Sequence, residues 1–231
     1  MATWLTYCKQ LNEDNPVINP AWWNDKRVNP YCLIDALSEY AREDDVIVPG
    51  ASSFAPQLVY QAWRVKHGQR FTYMGAMGAM GTGLPAAIGA ALATGRRVIS
   101  VIGDGGFMLN MQELEVVARL ELPIKYFVLY NGGYAAIKAT QTSYFEGRLQ
   151  GCTEESGLTL PDVGGLADAF GIEYDLIVRN SEIREWVQVA LADDAPRIVE
   201  VVVPDDFQLA HRVKRVMVDG RPTSGAFGEV E

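Results

Sequence analysis

Short apolar runs alternate along the chain with segments whose apolar residues recur every three to four positions. Buried strands are predicted where β-branched and aromatic residues cluster, at residues 45–49, 70–73, 98–102, 124–130, 174–178 and 197–203. Amphipathic helices are predicted at residues 31–43, 54–63, 83–93, 110–122, 160–170 and 181–191. This alternation is typical of an α/β fold, a doubly wound parallel sheet with helices on both faces.

The pattern fades at both ends of the chain. Residues 1–30 are rich in Trp and contain two Asn-Pro pairs, which predicts an irregular linker or N-terminal extension. Residues 31–204 form the predicted domain. Residues 205–231 are a C-terminal tail, and its basic residues around Arg212 are best explained as a solvated face.

Composition narrows the class of protein. The chain has 231 residues, of which 48% are hydrophobic, and it contains no apolar stretch long enough for a membrane span. A net charge of -9 argues against nucleic acid as a partner. The three cysteines are widely spaced and do not cluster with the two histidines, so we expect reduced thiols and no zinc site. The N-terminus does not resemble a signal peptide, so we expect a cytoplasmic protein.

Two strand ends carry polar groups suited to a metal and a diphosphate. Asp104 follows the strand at 98–102, at a position we expect to be exposed, and the glycines after it leave backbone N–H groups free to approach an anion. The strand at 124–130 delivers Asn131 to the same carboxyl edge, where open α/β sheets bind ligands. Mg²⁺ prefers oxygen ligands of this kind together with phosphates. Taken singly, a helix cap at Asp104 and an ordinary turn at Asn131 explain the residues better than a metal site does.

Taken together, the two segments resemble the metal-binding signature of thiamine diphosphate enzymes, Gly-Asp-Gly followed at a set distance by Asn. The resemblance implies a Mg²⁺ site made of Asp104, Asn131 and the Gly133 carbonyl, within a cofactor site that also includes Gly105, Gly106 and Tyr134. Many members have a second Asn directly before the liganding one. Tyr130 stands there in this chain, a departure that touches no implied ligand.

A second block, residues 75–90, resembles the glycine-rich segment of acetolactate-synthase-like members, which runs into a helix through Leu-Pro-Ala-Ala-Ile-Gly. In those enzymes an apolar residue at the position of Met80 holds thiamine in a bent conformation. The resemblance also implies that the Gly78 carbonyl and the Met80 amide hold the aminopyrimidine ring. Without it, the methionines would be interpreted as flexible core filler.

The resemblance covers one part of a larger architecture. Family members combine a pyrimidine-binding domain, a middle domain and a diphosphate-binding domain, and this chain matches the last. The glutamate that activates the cofactor lies in the pyrimidine-binding domain of those enzymes and has no counterpart here, since Glu113 and Glu115 are better explained as helix carboxylates. We therefore expect a split enzyme, a heteromer with two copies of each chain, in which the partner supplies that domain and its glutamate.

The resemblance implies an enzyme that uses thiamine diphosphate and Mg²⁺ on 2-oxo acids. Carboligation after decarboxylation, of the acyloin or acetolactate type, is the first interpretation; simple decarboxylation of the sulfopyruvate or phosphonopyruvate type and a non-catalytic scaffold are the alternatives. A nicotinamide dehydrogenase is disfavoured because the Gly-x-Gly-x-x-Gly spacing is missing. By the same resemblance, residues 134–150 with the loop after them, and the tail with its Asp-Gly-Arg at 219–221, are candidate active-site lids.

Overall fold

The computed structural model describes residues 2–50, 54–72, 77–210, 215–219 and 221–224. The chain divides into two compact units. The large unit contains residues 18–205, and the small unit is made of the two terminal segments, residues 1–17 and 206–231.

A six-stranded parallel sheet forms the centre of the large unit, in the order β2-β1-β3-β4-β6-β5. Its strands are β1 Val46–Pro49, β2 Arg70–Phe71, β3 Val98–Gly103, β4 Ile124–Tyr130, β5 Glu173–Ile177 and β6 Arg197–Val202. In β3 and β4 every residue except the last is buried, as expected for central strands that are covered on both faces. The strand β1 has β2 on one side and β3 on the other, so the sheet extends from β1 in both directions, as in a doubly wound fold.

Helices cover both faces of this sheet. The helix α1 Ala2–Asp14 belongs to the small unit, and the α-helices of the large unit are α2 Pro30–Tyr40, α3 Phe54–Ala62, α4 Gly83–Thr94, α5 Asp104–Met108, α6 Leu114–Arg119, α7 Ala135–Tyr144, α8 Val163–Phe170 and α9 Ile183–Ala190. Buried residues of α4, α6 and α8 share one apolar cluster with alternate residues of the strands. On the other face α2 contacts both α3 and α9. The predicted fold class is therefore confirmed.

The predicted helix at residues 110–122 is only partly right. The short helix α5 ends before it, a 3-10 helix Met111–Glu113 follows, and α6 continues directly from there and ends at Arg119. Asn110 lies between the first two of these with φ −136° and ψ 34°, and its side chain bonds to a distant backbone carbonyl. Asn110 therefore lies just outside the helical segment that was predicted to begin with it.

The prediction that residues 1–30 are irregular is wrong for their first half, because Ala2–Asp14 is the helix α1. The second half belongs to the large unit, where Asn180 holds it in place. The Asn180 side chain donates to Trp22 O at 2.9 Å and accepts the N–H of Asn29 at 2.9 Å. Division of the chain at residues 30 and 204 stays a prediction.

The small unit also contains an antiparallel hairpin, β7 Arg215–Val218 and β8 Arg221–Ser224, with Asp219 at φ 52° in its turn. Residues 211–214, 220 and 225–231 of the tail lie outside the described residues, so its role as a lid stays a prediction. Among the described helices, none combines the length and the apolar character that crossing a bilayer requires.

The amino edge of the sheet carries two ion pairs whose basic residues are buried. Arg97 donates to both carboxylate oxygens of Asp45, at 2.9 and 2.7 Å, and to Leu191 O at 2.6 Å. Lys125 is paired with Asp193 at 2.6 Å. These groups lie at the opposite end of the strands from Asp104, so the two edges of the sheet have separate roles.

Candidate cofactor site

Asp104 lies where β3 ends and α5 begins, and the structure places it differently from the prediction. We expected an exposed carboxylate, which is wrong: the residue is only 6% exposed. Its Oδ2 accepts the backbone N–H groups of Asn131, Gly132 and Gly133 at 2.9, 2.9 and 3.2 Å. Its Oδ1 accepts the N–H of Gly105 at 2.6 Å. The turn after β4 folds directly over this carboxylate, which the position at a strand end did not indicate.

Burial also changes the acidity of this group. Desolvation raises the pKa of Asp104 to about 6, although the four backbone N–H donors favour the charged form and oppose that rise. A carboxylate offers about four lone-pair positions, and three of the four N–H groups share Oδ2. Oδ1 accepts a single backbone N–H and therefore keeps a lone pair for a metal ion.

The other two implied metal ligands lie in the same turn. Asn131 Oδ1 accepts the N–H of Gly133 at 3.1 Å, and Gly133 O accepts the N–H of Ala135 at 3.1 Å. The turn therefore brings together a carboxylate, an amide oxygen and a backbone carbonyl. These are hard oxygen donors of the kind that Mg²⁺ binds alongside phosphate oxygens, so the residues present fit the implied metal.

Gly105 is the point where the two sequence blocks meet. A Cβ built on Gly105 would overlap the ring of Tyr134 and would lie 3.3 Å from the Met80 Cε. Only a glycine allows the ring and the methyl group to lie this close to the backbone. The structure thus brings Met80, Gly105 and Tyr134 together, and their contact with a cofactor stays a prediction. At Gly106 a Cβ would lie 3.3 Å from Ile102 Cγ1, because the α5 backbone packs tightly on the end of β3.

The glycine-rich segment before α4 forms the rim of the site. Gly75 and Ala76 lie outside the described residues. Gly78 is exposed with φ 58°, and Met77 is 91% exposed. Met80 is half-buried, so the segment turns inward at this residue. The implied contact of Gly78 with an aminopyrimidine ring stays a prediction.

Residues 150–156 also lie against the predicted metal turn, a contact that the interpretation of this loop as a candidate lid did not specify. Gly133 forms an antiparallel bridge with Thr153, and Tyr134 donates its N–H to Cys152 O at 2.9 Å. A Cβ on Gly133 would overlap that same carbonyl oxygen. The predicted metal turn is therefore backed by a loop about twenty residues further along the chain.

Side-chain hydrogen bonds hold this loop against α7. Gln141 Oε1 accepts the N–H of Gln150 at 2.9 Å, and the Gln141 amide donates to Gln150 O at 3.1 Å. Ser156 Oγ accepts the N–H groups of Cys152 and Thr153 at 3.1 and 2.9 Å. The segment predicted as a lid is thus cross-linked within itself, and movement as a lid stays a prediction.

A small cleft opens beside the turn after β4. Its lining includes polar groups that the sequence did not single out, and the lining residues are Asn131, Gly132, Gly133, Ala135, Lys138, Cys152, Thr153 and Asp205. The Lys138 Nζ is paired with Asp205 at 2.8 Å across the cleft. Lys138 lies in the first turn of α7, and no local sequence pattern indicates that Asp205 is its partner.

The fold and the site define a cofactor-binding domain of the α/β class, with its ligand at the carboxyl edge of a parallel sheet. Comparison with known families identifies the cofactor. Residues 55–201, more than half of the chain, match the family described as thiamine pyrophosphate enzyme, C-terminal TPP binding domain. The chain belongs to this family.

Individual relatives point the same way. The chain is 27% identical to a probable acetolactate synthase large subunit of Methanocaldococcus jannaschii, over 99% of this chain and 40% of that protein. It is 29% identical to the acetolactate synthase isozyme 2 large subunit of Escherichia coli, over 87% of this chain and 36% of that protein. The chain thus spans well under half the length of these curated relatives.

Solved structures extend the comparison. A thiamine diphosphate-dependent 4-hydroxybenzoylformate decarboxylase of Rhodococcus jostii superimposes with a TM-score of 0.66 at 27% identity, over 80% of this chain and 34% of that one. Benzoylformate decarboxylase of Polynucleobacter necessarius superimposes with a TM-score of 0.73 at 22% identity, over 84% of this chain and 36% of that one, which is a likeness of fold.

Proposed function

We propose that this chain is the diphosphate-binding part of an enzyme that uses thiamine diphosphate and Mg²⁺ to decarboxylate a 2-oxo acid and then form a carbon–carbon bond. One observation carries the proposal: the Asp104 carboxylate lies within the turn that holds Asn131 and Gly133, with backbone N–H groups of that turn 2.9 to 3.2 Å from its Oδ2. A buried carboxylate with a free lone pair beside an amide oxygen and a carbonyl is a binding site for a hard cation.

Each element of the site has a separate task in this proposal. Asp104, Asn131 and the Gly133 carbonyl hold the metal, and the N–H of Gly106 faces the diphosphate, since the N–H of Gly105 donates to Asp104 Oδ1. Met80 and Tyr134 pack on Gly105 and form the apolar side of the site. When bound, thiamine diphosphate supplies the carbanion-stabilising chemistry of decarboxylation. The protein residues fix its position and exclude water.

Carboligation is the proposed outcome because the chain is similar to acetolactate synthase large subunits of two organisms along most of its length. Simple decarboxylation is the second candidate, and the likeness to the Rhodococcus jostii decarboxylase at 27% identity supports it. A non-catalytic scaffold is disfavoured because both implied metal side chains, Asp104 and Asn131, are present and held close together. We further propose a cytoplasmic location.

We also propose that a second polypeptide supplies the pyrimidine-binding domain and the activating glutamate, in a heteromer with two copies of each chain. Exposed apolar side chains near the predicted site support a covering partner. Met77 is 91% exposed, and Leu109, which lies against Gly81, is 47% exposed. Apolar groups grouped around a binding site are typical of surfaces that another protein covers.

The experiment has two stages. Titration calorimetry of the chain with thiamine diphosphate, with and without Mg²⁺, tests the cofactor site, and we expect binding that requires the metal. Turnover of a panel of 2-oxo acids, before and after addition of candidate partner chains, tests the split enzyme. Products of carbon–carbon bond formation favour carboligation, whereas an aldehyde alone favours simple decarboxylation. Robust turnover by the isolated monomer would overturn the need for a partner.

A further inference from the structure

Asn110 connects the two halves of the site through one side-chain hydrogen bond. Its Nδ2 donates to Gly81 O at 2.7 Å, across 29 residues of sequence. Gly81 directly follows Met80. Asn110 lies six residues after Asp104, just beyond the end of α5. The bond therefore ties the backbone that carries the half-buried methionine to the backbone that carries the buried carboxylate.

The fit between Asn110 and Gly81 is close. Gly81 has φ 85°, a conformation that L side chains rarely adopt, and its Cβ position is only 2.8 Å from the Asn110 Nδ2 and 3.0 Å from the Leu109 Cβ. Asn110 therefore contacts the bare Cα face of Gly81 as well as its carbonyl. One residue earlier, Met80 extends its Cε to within 3.3 Å of the Cβ position on Gly105.

The orientation of the Asn110 amide is also fixed. Its Oδ1 accepts the Gln112 Nε2 at 3.2 Å, which leaves the Nδ2 end to face Gly81. Its backbone carbonyl accepts the N–H of Glu113 at 3.0 Å, so the residue is anchored in the turn that starts the 3-10 helix. Both ends of the Asn110 amide are therefore hydrogen-bonded, and its Nδ2 end positions the Gly81 carbonyl, which follows Met80, relative to the segment that starts at Asp104.

We propose that Asn110 is a positioning residue that sets the Met80 side chain against the cofactor. The inference rests on the proposed function, because it assigns a consequence to the packing of Met80 on Gly105. Asn110 does not touch the diphosphate in this proposal. Its removal should therefore weaken the hold on the thiamine rings while the hold on the diphosphate and Mg²⁺ is unchanged.

The test compares two ligands on the same full-length variants by titration calorimetry with Mg²⁺: thiamine diphosphate and inorganic diphosphate. For the wild-type chain we expect tighter binding of thiamine diphosphate than of inorganic diphosphate. For Asn110→Ala we expect a loss of about fivefold to tenfold in affinity for thiamine diphosphate, the effect of one hydrogen bond, with little change for inorganic diphosphate. Asn110→Leu keeps the bulk of the side chain and should give the same result if the alanine variant folds poorly.

Asn180→Ala is the matched control, because Asn180 also donates its side-chain amide to a backbone carbonyl, Trp22 O, at 2.9 Å. It should lower the melting temperature without a selective loss of affinity for thiamine diphosphate over inorganic diphosphate. Equal losses for both ligands in the Asn110 variants, no loss, or the same selectivity in Asn180→Ala would each overturn the inference. So would a wild-type chain that binds the two ligands equally. Failure of the wild-type chain to bind either ligand would instead overturn the proposed function.

Discussion

The Asp104 carboxylate and the Asn131 backbone are joined by a 2.9 Å hydrogen bond between the ends of two neighbouring strands. The next two residues of the turn donate to the same oxygen. The residue proposed as the charged metal ligand therefore also organises the turn that contains the other ligands. Metal binding and local stability are expected to depend on the same side chain.

Asp104→Ala should abolish Mg²⁺-dependent binding of thiamine diphosphate and should also destabilise the fold. The loss leaves buried backbone N–H groups without their acceptor, which costs roughly 1–3 kcal/mol each in the worst case and less where the turn relaxes. Calorimetry and urea unfolding measure the two effects. Asp162→Ala is the control: Asp162 caps α8 by accepting the N–H of Gly165 at 3.2 Å, so its loss should cost about 1 kcal/mol and leave cofactor affinity unchanged. Unaltered affinity in Asp104→Ala would rule out the metal assignment.

Met80→Ala should reduce turnover of the reconstituted enzyme more than it reduces cofactor affinity. The side chain packs on Gly105 and shapes the apolar side of the site, whereas the proposed metal turn holds the diphosphate. Truncation should cost less than the roughly 2–5 kcal/mol of a fully buried methionine, because Met80 is half-buried. Met77→Ala, at a residue 91% exposed in the same segment, is the paired comparison for fold and affinity in the isolated chain. Equal losses of affinity and turnover would argue against a role in cofactor geometry.

Gly105→Ala should destabilise the chain by about 1–3 kcal/mol, because the added methyl group overlaps the Tyr134 ring and crowds Met80. Thiamine diphosphate affinity should fall with it, since both neighbours must move. Gly89→Ala provides the opposite case. Gly89 lies in α4 with nothing within 4 Å of its Cβ position, so alanine should stabilise the helix by roughly 0.5–1 kcal/mol. Thermal unfolding of the two variants checks both signs, and a stabilised Gly105→Ala would contradict the described packing.

Arg97→Ala should destabilise the chain by about 3–5 kcal/mol without a specific effect on the cofactor site. The side chains of Arg97 and Asp45 are 2% and 1% exposed, so removal of the arginine leaves a buried carboxylate without its partner. Arg97 precedes β3 and Asp104 follows it, which places them about 20 Å apart along the strand. Urea unfolding should show that the double variant Asp45→Ala/Arg97→Ala loses less than the sum of the single variants. Additive losses would mean that the pair contributes no coupling.

The strand positions were predictable because buried parallel strands are continuous apolar runs. Residues 124–130 match β4 at both ends, and the run at 98–102 falls short of β3 by one residue. The hydrogen bond from Asn110 to Gly81 was not predictable, because it joins residues 29 apart. The helix Ala2–Asp14 was not predicted, although Leu5, Lys9 and Gln10 favour helices. The aromatic residues of this segment and the Asn-Pro pairs that follow it are typical of irregular structure.

The site was predictable as far as strand ends define it. Strand ends on a parallel sheet meet at one edge, so Asp104 and Asn131 were expected to converge, and they do. Contacts that depend on tertiary packing were missed. Nothing in the sequence spacing of Gly133 and Cys152 indicates that the Cys152 carbonyl oxygen lies against the Cα of Gly133. Burial of Asp104 was missed for the same reason, since it results from the turn after β4.

Two contacts join the ends of residues 133–153, a long excursion of the chain. One is the bridge between Gly133 and Thr153, and the other is the hydrogen bond from the Tyr134 N–H to Cys152 O. With its ends joined, the excursion can change in length or sequence at its tip, around Phe145, without displacing the residues at its base. Loop closure costs little extra free energy as a loop grows. An engineer who exchanges loops between relatives can therefore alter the tip while the turn at Asn131 stays in register. The tip and the base that backbone contacts hold are separate parts of one continuous segment.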